Sequence, residues 1–336
     1  MEFLFNDWLG TPAWFWLAFL GLVVALTAFD LGILHKEDRE MGIGESLKLS
    51  AFYIGIALLF GAWVWYARGA DLGMKYYTGF FIEKALSIDN VFVISLIFTY
   101  FAIPPKYQYR ALLWGIVAVI VLRGLMIAGG AALVSQAYWV LYIFAAFLVF
   151  TGIKMLFAGD KPMDIENNPV VRWISSHMRV TKELHAQHFF VRVPDEKTGR
   201  LATAATPLFL ALVVINLADL VFAVDSVPAI FAITTDTFIV YTSNIMAILG
   251  LRALYFALAA MVHRFHYLKY ALALVLVFIG LKIFVADFLL GGDKFPPVLS
   301  LGVTFALIAA GIGYSLWKTR GQEESDWPKS TAREQS

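Results

Sequence analysis

The chain has 336 residues, 60% of them hydrophobic and 15% charged, where an ordinary soluble domain carries about 25% charged residues; a water-soluble enzyme is excluded. With 26 Lys and Arg against 25 Asp and Glu the formal net charge is +1, so there is neither a polybasic face for nucleic acid nor an acidic tail for solvating a partner. Cysteine is absent, which excludes disulfides, iron–sulfur clusters and thiol nucleophiles, and leaves oxygen or imidazole as the ligands of any metal.

A bilayer core takes about 20 apolar residues per helix. Runs of that kind fall near residues 12–34, 46–67, 75–101, 108–133, 137–158, 205–235, 237–262, 267–290 and 296–317. They predict an all-α polytopic membrane protein of about nine spans: two N-terminal helices within 1–70, three within 71–158, three within 205–290 and a last one within 291–318. The first is expected to persist as a helix rather than be cleaved, because Glu2 and Asp7 stand where a signal peptide is basic. Residues 159–204 form a polar connector with a short amphipathic stretch at Val170 to Val180, and the tail at 319–336 is polar and aperiodic. One set of alternate loops carries Lys36, Arg39, Lys48, Lys106, Arg110, Arg264, Lys269, Lys318 and Arg320, the other only Arg68, Lys75 and Lys294. The positive-inside rule then places the N-terminus outside, and the connector and C-terminus in the cytoplasm.

Two stretches match in order and spacing. Glu83 and Asp89 are six apart, as are Asp219 and Asp225; Leu122-Arg123-Gly124-Leu125 returns as Leu251-Arg252-Ala253-Leu254; Phe150-Thr151-Gly152-Ile153-Lys154 returns as Phe278-Ile279-Gly280-Leu281-Lys282. Each copy holds three spans, an odd number, so spans 3–5 and 6–8 run oppositely through the bilayer. That is the inverted repeat of secondary transporters, whose substrate site lies at the repeat interface near the midplane.

Five acids fall within or at the ends of apolar runs, namely Asp30, Glu83, Asp89, Asp219 and Asp225. At bilayer depth each costs at least about 2.5 kcal/mol on insertion scales, so each needs a partner or a purpose. Lys84, Arg123, Arg252 and Lys282 share the depth range, and charge pairing with these bases is the structural alternative; Arg123 and Arg252 are expected to pair with the repeat carboxylates, structurally or as a gate. Six residues on a helix turn through about 600° and rise about 9 Å, so neither acid pair chelates one ion from a single straight helix. Glu83, Ser87 and Asn90 share one face, as do Asn216, Asp219 and Ser226, and Asp89-Asn90 and Asp225-Ser226 are expected to meet as equivalent pairs across a pseudo-two-fold axis. Pro228 removes the hydrogen bond to the Val224 carbonyl beside Asp225, freeing another oxygen. Oxygen ligands without thiolate suit Mg, Ca or Mn alike. Lys154 and Lys282 stand near span ends, where lysines snorkel, and His177, His185 and His188 in the connector match no strong ligand spacing. No nucleotide-binding loop, HExxH or GxSxG is present.

The segments FDLGIL (Phe29 to Leu34), IEKALSIDNVFV (Ile82 to Val93) and NLADLVFAVDSVPAI (Asn216 to Ile230) strongly resemble the TerC family of integral membrane proteins, and the layout with a long central connector is most similar to its Alx-like branch. The resemblance covers about residues 10–318. It implies a member of the LysE-type transporter superfamily, associated with manganese efflux, tellurium resistance and alkaline-pH responses, with the acidic motif positions at Glu83, Asp89, Asp219 and Asp225 and with Asn90 and Ser226 beside them. The resulting expectation is a multi-pass exporter of divalent manganese in the bacterial inner membrane, with no resident cofactor and with protons as a possible coupling ion; Asp89 and Asp225 are direct ligands, and Asp30 lines the exit. The alternatives are export of another cation such as calcium, and a membrane scaffold or assembly factor working through its connector. Oligomeric state is not legible.

Overall fold

The computed structural model describes residues 2–33, 42–137, 139–157, 169–181, 183–194, 201–258, 267–288 and 295–319, excepting the side chain of Asp89 and a few others. The chain is a helical bundle: α1 (Ala13–Ile33), α2 (Ile43–Arg68), α3 (Ala70–Tyr100), α4 (Pro105–Gln136), α5 (Val140–Phe157), α6 (Pro169–His177), α7 (Pro207–Phe231), α8 (Thr237–Leu249), α9 (Leu251–Leu258), α10 (Leu268–Phe288) and α11 (Pro297–Lys318). Pro105, Pro207 and Pro297 open their helices, where a missing N–H costs nothing. Asp236 caps α8 by accepting from the Ile239 N–H at 3.1 Å and holds Arg68 at 2.9 Å, tying the start of α8 to the end of α2.

Eight stretches of helix, one of them α8 with α9, are long and apolar enough to cross a membrane. The remaining long helix, α3, has 31 residues but carries Asp71, Lys75, Glu83, Lys84 and Asp89. Its polar side chains Thr78, Glu83, Ser87 and Asn90 are buried, so the bundle, not the lipid, receives them. Large apolar side chains such as Leu59, Leu125 and Phe150 are turned outward, a surface that lipid tolerates and water does not.

Three details depart from the expected layout. Two small antiparallel hairpins join the helices: Asp7–Trp8 (β1) with Thr11–Pro12 (β2), and Phe190–Pro194 (β3) with Leu201–Ala205 (β4). The second lies in the connector and takes up its alternation of Val and polar residues, while the amphipathic stretch forms α6. The predicted span at 237–262 is broken at Gly250 into α8 and α9; its residues 259–262, and residues 320–336 of the predicted tail, lie outside the described residues. Lys84 donates to the Ala247 carbonyl at 3.2 Å, satisfying one of the carbonyls that the end of α8 leaves without a partner, and a Cβ at Gly250 would stand 2.9 Å from the Lys84 Nζ.

Helix α5 packs along α10, α3 along α8, and α7 along α4. At the α5–α10 crossing, a Cβ on Gly152 would stand 2.6 Å from the Ala273 carbonyl oxygen and 2.7 Å from Val277, and one on Gly280 would stand 2.6 Å from the Ala145 oxygen and 2.7 Å from Val149. Each glycine thus meets the residues seven and three positions before the other, the close backbone approach that small residues allow between membrane helices. Gly152→Ala and Gly280→Ala are each expected to cost about 1–3 kcal/mol, the range of overpacking, because a backbone carbonyl cannot step aside. Thermal unfolding in detergent measures both, and a cost at one position without the other would break their equivalence.

Candidate functional site

Among the described residues, the densest polar network in the bundle interior is built on Arg123, from the middle of α4. Its Nε and Nη2 donate to the two carboxylate oxygens of Asp219 in α7 at 3.1 and 3.0 Å, the two-pronged geometry that fits guanidinium to carboxylate. Its Nη1 ion-pairs with Glu83 of α3 and reaches the Ser226 hydroxyl at 3.1 Å and the Asn244 side-chain oxygen at 2.9 Å. Asn244, in α8, donates in turn to the other Glu83 oxygen at 3.1 Å. Arg123 and Glu83 are each 1% exposed and Asp219 is 7% exposed, so the pairing is made in a low dielectric and nearly every donor finds an acceptor. Formally the cluster holds two carboxylates against one guanidinium, and four helices converge on it.

A second arginine does not mirror the first. The expectation that Arg252 pairs with a repeat carboxylate is corrected: its Nη2 pairs with Asp30 of α1 and its guanidinium lies 4.2 Å from the centre of the Tyr109 ring, a cation–π contact. The reason is placement, because α9 starts afresh after the break at Gly250 and Arg252 sits within reach of the end of α1. Its Nε and Nη1 have no hydrogen-bond partner among the described residues, although the residue is 1% exposed. Beside it lies a cavity of about 30 Å³ lined by Asn90, Gly115, Asp219 and apolar side chains.

Glu83, Asp219, Ser226 and Arg123 are therefore brought together, and Asn90 lies next door on the cavity wall. The side chain of Asp89 is outside the described residues. Asp225 is not brought to this cluster: it is half-buried, and its hydroxyl contact is Thr151 of α5 at 3.5 Å, with Lys154 in electrostatic reach. Neighbours on a helix point about 100° apart, so Ser226 faces the cluster while Asp225 faces α5. Among the described residues no three acids or histidines gather where a metal could sit, because Glu83 and Asp219 both point at Arg123. Lys282 is buried and donates to Ser300 at 3.1 Å, so it does not snorkel, whereas Lys154 is exposed. His177 stacks on Trp173.

Sequence reasoning missed Asn244. Its signal was the polar triplet Thr242-Ser243-Asn244 inside an otherwise apolar span, all three residues buried, since polar side chains at that depth act as glue between helices.

A family model described as "Integral membrane protein TerC family" matches residues 68–323. The chain belongs to the TerC family. Among relatives, an "Uncharacterized membrane protein" of Rickettsia bellii is 48% identical over 88% of this chain and 95% of its own length. A protein of Myxococcus xanthus, "Uncharacterized membrane protein STKORF319", is 42% identical over 94% of this chain and 96% of its own. One from Escherichia coli K12, named "Putative membrane-bound redox modulator Alx", is 43% identical over 92% and 95%. No solved structure matches. The TerC family model spans the helices that carry both arginines, Glu83, Asp219, Ser226 and Asn244, and begins at the end of α2.

Proposed function

We propose that this TerC-family protein is a secondary transporter that exports divalent manganese across the bacterial inner membrane, with its N-terminus outside and its C-terminus in the cytoplasm. The observation that carries the reading is the buried cluster itself, in which two carboxylates face one guanidinium at the meeting of four helices. A cluster one positive charge short attracts a cation or a proton, and intramembrane acids mark ion pathways by default. The reciprocal Gly152 and Gly280 contacts and the shared pairing of α3 with α8 and α7 with α4 support an inverted repeat of spans 3–5 and 6–8. Glu83 and Asp219, which are equivalents in that repeat, then meet near its axis, where alternating access places a substrate. Asp89 and Asp225 serve as ligands on either side, Asn90 and Ser226 complete an oxygen shell of the kind manganese accepts, and protons exchange for the metal at the acids. The redox description of the Escherichia coli relative has no thiol to work through here, since the chain lacks cysteine.

Purified protein reconstituted into vesicles, with its cytoplasmic face outward, is expected to take up manganese faster when a proton gradient is imposed, and Asp219→Asn is expected to abolish uptake. Scrambling residues 159–204 should leave uptake intact. Wild-type vesicles silent to manganese, calcium and magnesium, with function in cells lost only on scrambling the connector, would replace the transporter with a scaffold.

A further inference from the structure

The two arginines are equivalents in the repeat, but their surroundings differ in an ordered way. Adding 136 to Glu83 and Asn90 gives Asp219 and Ser226, and adding 129 to Gly115 and Arg123 gives Asn244 and Arg252. The partners of Arg123 are Glu83, Asp219, Ser226 and Asn244. The positions that correspond to them for Arg252 are Asp219, Glu83, Asn90 and Gly115. Three of these four, Asp219, Asn90 and Gly115, line the cavity that Arg252 borders. The cavity is therefore the counterpart of the nest that holds Arg123, and it exists because glycine stands where the other half has asparagine. Among the described residues, Arg252 meanwhile has two buried donor nitrogens without partners, an unfavourable state that two further acceptors would relieve. Asp219 is an acceptor common to both nests, so the two guanidinium groups cannot be bound there in the same way at once.

We propose that Arg123 and Arg252 are alternating counter-cations of the Glu83/Asp219 pair: Arg123 holds the pair in the conformation described, and in the opposite-facing conformation Arg252 leaves Asp30, enters the cavity and takes Asp219 with Asn90. This rests on the inverted-repeat transporter reading and supplies its gate. In each state one arginine closes the carboxylates to one side of the membrane. A transported cation binds between the two, when neither guanidinium occupies the pair. Asp30 and the Tyr109 ring are the resting berth of Arg252; Arg123 has the Asn244 amide and the Ser226 hydroxyl as its own.

If Arg252 can take over the carboxylates, losing both arginines must cost more than the product of the separate losses, although the two occupy separate nests in the described conformation. Unfolding equilibria of Arg123→Gln, Arg252→Gln and the double variant in detergent are expected to show at least a ten-fold excess in the unfolding constant of the double variant. Adding Gly115→Val, which puts a side chain into the cavity, should abolish that excess; the Cβ at Gly115 meets Leu212 and Ile215 at 3.8 and 3.9 Å, ordinary van der Waals contact. Where Arg123→Gln gives no folded protein, Arg123→Lys, which keeps a charge and loses the two-pronged contact, takes its place in the same cycle. Effects that multiply without excess, or an excess that survives Gly115→Val, overturn the exchange. Manganese uptake by wild-type vesicles is read in parallel: an excess without uptake retains the exchange and removes the transport reading, whereas uptake without an excess does the opposite.

Discussion

Arg123→Ala is expected to destabilise the protein by about 3–5 kcal/mol, the cost of removing one partner from a buried ion pair, and, on the transport reading, to abolish export. The size follows from what is left behind. Glu83 and Asp219 would lose three charged hydrogen-bond donors in an interior where Arg123 and Glu83 are each 1% exposed, and only the uncharged Asn244 amide and Ser226 hydroxyl would remain to donate to Glu83. Two like charges at such proximity and in such a dielectric cannot both persist, so at least one carboxylate would take a proton. The triple variant Glu83→Gln, Arg123→Met, Asp219→Asn separates structure from function. Neutral groups of similar shape should recover most of the lost stability, because exchanging a buried ion network for uncharged side chains is often neutral or favourable, but transport should stay absent with no carboxylate left to receive a cation. Thermal unfolding beside vesicle uptake reads both. A loss below about 1 kcal/mol on Arg123→Ala, the worth of an exposed pair, would mean that the carboxylates are already neutral and that the cluster holds no charge for a cation to replace.

The apolar helices, their order and the charges buried among them were legible because membrane helices are fixed by length and apolarity and because a charge inside an apolar run is conspicuous. Spacing put Glu83 on one face with Ser87 and Asn90 and put Asp219 on another with Asn216 and Ser226, and the repeat and the resemblance joined the two faces; four helices bring Glu83, Asp219 and Ser226 to Arg123. What spacing cannot carry is which carboxylate a given arginine chooses. Arg123 and Arg252 occupy similar Leu-Arg-x-Leu segments, but the break at Gly250 and the proximity of α1 give Arg252 to Asp30, an acid far off in the sequence. Asp225 illustrates the same limit from the other side. Its motif equals that of Asp89, and yet the rotation of α7 turns it to Thr151 and away from its chain neighbour Ser226. The connector hairpin was missed because five alternating residues between breakers are too short for hydropathy to separate from loop.

On the transport reading, Asp225→Asn is expected to abolish manganese export while changing stability by no more than about 0.5 kcal/mol, the range of substitutions away from packed features. The two halves of that expectation have separate grounds. Among the described residues no base stands at ion-pair distance from Asp225, its hydroxyl contact at 3.5 Å is at the outer limit of a hydrogen bond, and the residue is only half-buried, so an isosteric amide forfeits little. A carboxylate in the middle of an apolar helix that adds so little to stability is retained for its charge, and on the transport reading that charge receives the cation after the Glu83/Asp219 pair releases it. Asp219→Asn is the contrasting case: it replaces an oxygen that Arg123 grips with an amide nitrogen that cannot accept, and it should lose stability and export together. Uptake measured on vesicles carrying equal amounts of folded Asp225→Asn and wild-type protein decides the matter. Unimpaired uptake would take Asp225 off the ion's route and confine the pathway to the arginine-held pair.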